Sequence, residues 1–257
     1  MTYVPLTGVP HFPGVIGVND TDDVSIASHA ATTINTHGLG STWFSKYIVR
    51  GKALAGIPAG QACWFAEDFA DIARWQKMAG VANCVAVTDR SGGVGEIAAG
   101  AGDGVLYSGG DVVYGAPSLA MGHGRFYFAC RMQVAAGPPA DGGAIAGLLT
   151  FAGGSQVTVG YAGASDVGHY SLTIWNGAAA PESVVSTIAL DAAYHDLECW
   201  CDGTNYGLSV DSETAVVLAP TNPPVVGLGV VAYVLGGAVA GTTGRFDKCL
   251  AVFPQAA

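Results

Sequence analysis

The sequence predicts an all-β protein: a two-sheet antiparallel jelly-roll sandwich over residues 61–257, preceded by an extended N-terminal arm over residues 1–60. Three observations predict it. Short apolar runs of strand length recur along the second part of the chain, and several alternate with period two. Turn signals separate them, drawn from 38 glycines in 257 residues. Half of the residues are hydrophobic and only 12% are charged, enough apolar surface for a sizeable core and the opposite of a disordered composition.

In chain order, the arm carries Pro5, Pro10, Pro13 and Pro58 and a Ser/Thr/Asn/His-rich stretch from Asn19 to Thr42. Its apolar residues show no sustained period, so it does not predict a core of its own. Two placements follow: a strand-and-loop layer on the sandwich, or, the one favoured, an arm that orders against a neighbouring subunit. The aromatic and basic residues Trp43, Phe44, Lys46, Tyr47, Arg50 and Lys52 are the docking candidates, suited to an acidic partner surface. Next, Asp68–Met78 predicts a short helix, because Phe69, Ile72 and Trp75 would share one face. Arg125–Val134 is the clearest strand, with Phe126, Phe128, Cys130, Met132 and Val134 on one side. Further strands are expected at 144–151, 156–161, 169–175, 184–190, 194–201, 206–210, 225–234 and 245–253. Between them lie the turn pairs Gly153-Gly154, Asn176-Gly177, Asp202-Gly203 and Gly236-Gly237. About a dozen strands at this spacing imply a sandwich.

Charge and end composition exclude several classes. A net charge of −10 and a pI near 4.7 oppose nucleic-acid binding, which needs a basic surface. The start, Met1-Thr2-Tyr3-Val4-Pro5, has no basic segment before an apolar one, so no secretory signal is expected and synthesis is expected in the cytoplasm. Glycines break every apolar run short of a bilayer span, so no membrane partner is expected. The six cysteines (63, 84, 130, 199, 201, 249) contain no C-x-x-C pair and are read as small buried hydrophobes, not a zinc site.

The stretch from Tyr194 to Asp211, Tyr-His-Asp-Leu-Glu-Cys-Trp-Cys-Asp-Gly and onward, resembles a hairpin of the concanavalin A-like lectin/glucanase superfamily. Leu197, Cys199 and Cys201 would face the core there, with Glu198, Trp200 and Asp202 facing out. Trp64 to Phe69 with Trp75, Gly92-Gly93-Val94, Gly124 to Phe128 and the closing run Gly244 to Phe253 are similar to laminin-G-like or glucanase-like jelly rolls in order and spacing. The light, Gly/Ala-rich composition is similar in style to bacteriophage virion components of that superfamily. This implies a virion location, a major capsid protein or other virion protein as partner, and a homo-oligomer.

Catalytic patterns are scarce. The E-x-D-x-x-E strand of sandwich glucanases is absent, and Glu67-Asp68-x-x-Asp71 and Asp196-x-Glu198 have the wrong order or too few acids. None of the six histidines sits at a ligand spacing, no G-x-S-x-G elbow occurs, and Gly92–Gly95 reads as a turn. Asp20-Thr21-Asp22-Asp23 lacks the remaining EF-hand positions and reads as a solvated turn, with loop calcium at Asp103 or Asp111 as the alternative. The expectation is therefore a protein without catalytic residues, cofactor or metal. If their strands share a sheet, Tyr127, Arg131, Gln133, Thr173, Trp175, Glu198 and Trp200 cluster on its outer side. Tyr127, Arg131, Trp175 and Trp200 are the candidates there for glycan or protein contact, unless the arm covers them. Residues 132–244 contain nine acids and no basic residue. The leading function is capsid decoration through the arm, and the alternative is a glycan- or receptor-binding module of a phage tail or adhesin.

Overall fold

Alternation of small or polar residues with large apolar ones pairs the strands into two sheets whose inner faces meet. The computed structural model describes residues 15–17, 41–58, 62–67, 69, 72, 75–88, 93–109, 124–134, 140–149, 155–163, 168–224 and 229–254. Asp20–Asp23, Asp111 and most of residues 1–40 lie outside them. The elements are β1 (Val15–Gly17), α1 (Ser41–Ala55), β2 (Ala62–Glu67), β3 (Trp75–Ala79), β4 (Cys84–Val87), β5 (Val94–Ala99), β6 (Gly104–Gly109), β7 (Arg125–Val134) and β8 (Gly143–Leu149). They continue with β9 (Gln156–Tyr161), β10 (His169–Trp175), β11 (Glu182–Ala189), β12 (His195–Asp202), β13 (Tyr206–Val210), β14 (Val216–Leu218), β15 (Gly229–Leu235) and β16 (Thr242–Pro254).

The first sheet has nine strands, in the order β1-β2-β16-β7-β12-β13-β14, with β5 and then β4 attached beside β16. The second has seven, in the order β11-β10-β9-β8-β15-β6-β3. All the pairings are antiparallel, the jelly-roll sandwich expected. A register break between Phe246 and Lys248 lets β16 pair with β5 in its first half and β2 in its second.

The core holds Phe126, Phe128, Cys130, Met132 and Val134 from β7 and Leu197, Cys199 and Cys201 from β12. Facing them are Val157, Val159 and Tyr161 from β9 and Tyr170, Leu172 and Ile174 from β10. Full burial of each large side chain contributes roughly 1.5–3 kcal/mol.

Two expectations are corrected. Trp75–Met78 is strand, not helix: Trp75 is buried, stacks on Phe69 at 4.7 Å, and β3 hydrogen-bonds to β6. Tertiary pairing overrides a two-turn helical spacing. Conversely, residues 41–55 of the arm are a helix. Trp43, Phe44, Tyr47, Ile48 and Ala55 share a buried face at helical spacing. The helix ends at Gly56, whose φ of 60° is left-handed, with Ile57 N–H donating to Lys52 O at 3.0 Å.

Candidate functional site

β7 and β12 lie side by side at the centre of the first sheet. Their register sets Asp196 opposite Arg131, Glu198 opposite Ala129 and Trp200 opposite Tyr127. With Leu197, Cys199 and Cys201 turned to the core, alternation sends Glu198 and Trp200 to the outer face, as expected, and Asp196 with them. That face is covered. α1 lies along it, with Trp43, Phe44, Tyr47 and Ile48 packed against Tyr127, Ala129, Trp200, Leu250 and Val252. From Trp43 to Gly56 the helix rises about 20 Å, which matches the run of strand from Asp196 to Asp202.

The seating is polar as well as apolar. Trp43 Nε1–H donates to Asp196 Oδ1 at 2.7 Å, and the Tyr47 hydroxyl donates to Oδ2 at 2.9 Å. Arg131 grips the same carboxylate in a bidentate pair at 2.7 and 2.8 Å. One turn further, Glu198 Oε2 accepts from Arg50 Nε at 2.5 Å and from the Tyr127 hydroxyl at 2.7 Å. At the far end Arg125 Nη1 donates to the carbonyls of Ala55 and Gly56, both at 3.0 Å, satisfying acceptors that the helix leaves over. Burial works to raise the pKa of Asp196, but the hydrogen bonds from Arg131 and Trp43 outweigh it and hold the carboxyl below its ordinary range. Burial, then the charges of Asp196 and Glu198, keep the Tyr47 and Tyr127 phenols protonated.

Two glycines make the fit possible. A Cβ on Gly51 would stand 2.4 Å from the Tyr127 ring, and one on Gly207 2.2 Å from the Trp200 indole. Gly51 thus lets the helix rest on the phenol, and Gly207 lets the indole lie flat across β13. Gly51, Gly207 and the capping Arg125 are parts of this seat that the sequence reading missed. The signal for Gly51 is its place within the stripe of Trp43, Tyr47 and Ala55.

Of the arm candidates, then, Trp43, Phe44, Tyr47 and Arg50 face the chain's own sandwich, while Lys46 is exposed above the Tyr47 ring at 4.7 Å. Lys52 is half-buried. Of the contact candidates, Tyr127 is fully buried and Trp200 is 8% exposed, so neither offers a free ring, and Arg131 is held by Asp196.

Trp175 belongs to the other sheet. With Tyr170, Leu172 and Ile174 in the core, β10 presents Ser171, Thr173 and Trp175 outward, in register with Gly160, Thr158 and Gln156 of β9. Gly147 of β8 lies beyond Thr158. The indole is half-buried, and its Nε1–H donates to Ala179 O across a turn in which Asn176 Oδ1 accepts from the Ala178 and Ala179 N–H groups at 3.0 Å. The Thr158 hydroxyl is buried with no hydrogen-bond partner. Ser171 is buried too, at 2% exposure, so the accessible part of this face is the fixed Trp175 ring with Gln156 and Thr173 beside it.

Asp103, one calcium candidate, accepts from Val81 N–H through Oδ2 at 3.3 Å.

By sequence, the chain matches no family model and no curated protein. By structure, it is similar to a β-1,3-1,4-glucanase (lichenase) derived from a mouse hindgut metagenome, at 15% identity and a TM-score of 0.52, over 75% of this chain and 98% of that one. It is also similar to a Bacillus licheniformis β-glucanase, at 11% identity and a TM-score of 0.51, over 76% and 98% of the two chains. A protein of unknown function from Shewanella oneidensis MR-1 matches at 12% identity and a TM-score of 0.52, over 76% and 87%. The fold is concanavalin A-like. The expectation of a protein that is not an enzyme is corrected here, because the structures sharing this fold include two glucanases. At such identities the likeness carries the fold and assigns no reaction.

Proposed function

We propose that this protein recognises carbohydrate through the outer face of its second sheet, with Trp175 as the stacking platform. The observation that supports this is the half-exposed, hydrogen-bonded indole of Trp175 beside the partly exposed Gln156 and Thr173. A sugar ring needs an apolar face to lie on and polar groups at its rim, and an indole already held in place loses little entropy on binding. β-1,3-1,4-Glucan oligosaccharides, named for the lichenase relative in fold, are the first probe.

The setting proposed with this function is a bacteriophage tail or adhesin. Capsid decoration through the arm would have to use the outward side of α1, such as Lys46 and Val49, because its rings and Arg50 turn inward.

A glycan array followed by titration tests the proposal. Specific binding that Trp175→Ala weakens about tenfold, a difference of about 1.4 kcal/mol, supports it. Binding indifferent to Trp175→Ala, or none across the array, overturns it. Reducing ends released from glucan during the same titration would assign turnover in addition.

A further inference from the structure

His195 opens β12 with both ring nitrogens engaged: Nδ1 stands 2.5 Å from Asp211 Oδ2, and Nε2 2.9 Å from Asp191 Oδ1. Ionised carboxylates only accept hydrogen bonds, so both contacts require both ring nitrogens to carry protons. The imidazolium thus joins two loops, the β11–β12 connection and the turn after β13. In that turn Asp211 and Ser212 both have left-handed φ, 50° and 67°. Asp211 is tied to the strand that carries the α1 seat. Its Oδ1 accepts Asp196 N–H at 2.9 Å, and its own N–H donates to Asp196 O at 2.8 Å. The Ser212 hydroxyl accepts from Lys46 of α1 at 3.3 Å.

We propose that His195 is a proton-dependent clasp, which holds these two loops and the first turns of α1 together while the ring is charged and loosens them when it loses a proton. The neutral ring would turn a lone pair toward one of two carboxylates. The left-handed turn would then lose the contact that holds it, and Lys46 one of its two acceptors, the other being the Tyr47 hydroxyl.

The surroundings set where this happens. Asp191 and Asp211 face the ring from the two loops, and the Tyr170 ring of β10 lies 5.0 Å away. Met132 of β7 is opposite His195 in register, with Arg131 beside it spent on Asp196. Cys130 of the same strand stays a neutral thiol because it is buried. On the α1 side Lys46 and Tyr47 act through Ser212 and Asp196. Burial alone would lower the His195 pKa, but the hydrogen bonds that the ring donates to Asp191 and Asp211 outweigh it and raise it. A raised value means that the clasp is complete below the ordinary histidine pKa of about 6.5 and opens as pH climbs through the folded-state value.

The test uses the full chain. Titration of the His195 ring by NMR is expected to give a pKa above about 6.5. Hydrogen exchange, corrected for its intrinsic pH dependence, is expected to show protection of the Asp196 and Asp211 amides and of the first turns of α1 falling about tenfold between about pH 5.5 and about pH 9. His195→Gln, which cannot charge, should show no such change. A ring pKa at or below about 6.5, constant protection in the wild type, or the same pH response in His195→Gln overturns the clasp. The titration of the wild-type ring decides the matter on its own if the variant does not fold.

Discussion

The outer faces of the two sheets have the same period-two origin and opposite fates. On the first, Tyr127, Trp200, Asp196 and Glu198 meet the aromatic and basic side of α1: both Asp196 oxygens and Glu198 Oε2 accept from the helix, and the Tyr127 hydroxyl donates to Glu198. On the second, Trp175 keeps part of its indole accessible beside Gln156 and Thr173. An outward aromatic is therefore a platform or a piece of core according to what else in the chain lies on its face. The difference also explains the uneven charge. The stretch without basic residues, 132–244, receives its counter-charges from elsewhere: Arg50 from α1 onto Glu198, and Arg131 from β7 onto Asp196.

The largest effect expected is on that contrast. Trp200→Ala empties the space between α1 and β13 and should cost about 3–5 kcal/mol of stability in urea unfolding. Trp175→Ala should cost within about 1 kcal/mol and act on glycan affinity. Equal losses for the two substitutions would mean that both faces are structural and would remove the distinction.

Next in size are the contacts that admit α1. Gly207→Ala pushes a methyl into the Trp200 indole, and Gly51→Ala pushes one into the Tyr127 ring. Each should destabilise by about 1–3 kcal/mol, more than alanine in a free helix, where Gly51→Ala would be favourable. A stabilised Gly51→Ala would show that α1 does not rest on Tyr127 in solution.

The sandwich was legible because strands announce themselves locally: β7, β9, β10 and β13 coincide with the expected runs, and β12 with its hairpin turn at Asp202-Gly203. The assignment of core and outer positions on β12 was legible for the same reason. What was not legible is non-local. Which strands share a sheet depends on crossovers, so the cluster of Trp175 and Thr173 with Trp200 and Glu198 holds only if their strands share one, and β10 and β12 lie in opposite sheets. The helical stripe of Trp43, Tyr47, Gly51 and Ala55 was present but hidden, because a glycine and an alanine fill half of it and its polar members, Arg50 and Lys46, look like surface. Only the partner face gives those small residues a meaning.

Acid should separate the faces again. Asp196 has a folded pKa below the unfolded one, so its contribution is present above the unfolded value of about 3.9 and is lost as pH falls through the folded value. Unfolding stability should therefore drop below about pH 4 together with helix signal from α1, and Asp196→Asn should flatten that limb of the profile while lowering stability at neutral pH. The glycan binding proposed for the second sheet draws on no such carboxylate and should follow acid only through unfolding.

The smallest effect expected is at the end of α1. Arg125 reaches from β7 to the carbonyls of Ala55 and Gly56, where the helix dipole places partial negative charge. Arg125→Gln keeps an amide donor but removes the charge and shortens the reach, and should cost about 0.5–1 kcal/mol. Its signature is local: faster exchange of the last-turn amides of α1, with the Trp43 and Tyr47 end unchanged. Fraying confined to residues 52–57 would show that the helix is held at both ends by separate means, Arg125 at one and Asp196 at the other. Loosening of the whole helix would instead make Arg125 part of one cooperative seat, and the first face a single unit that detaches all at once.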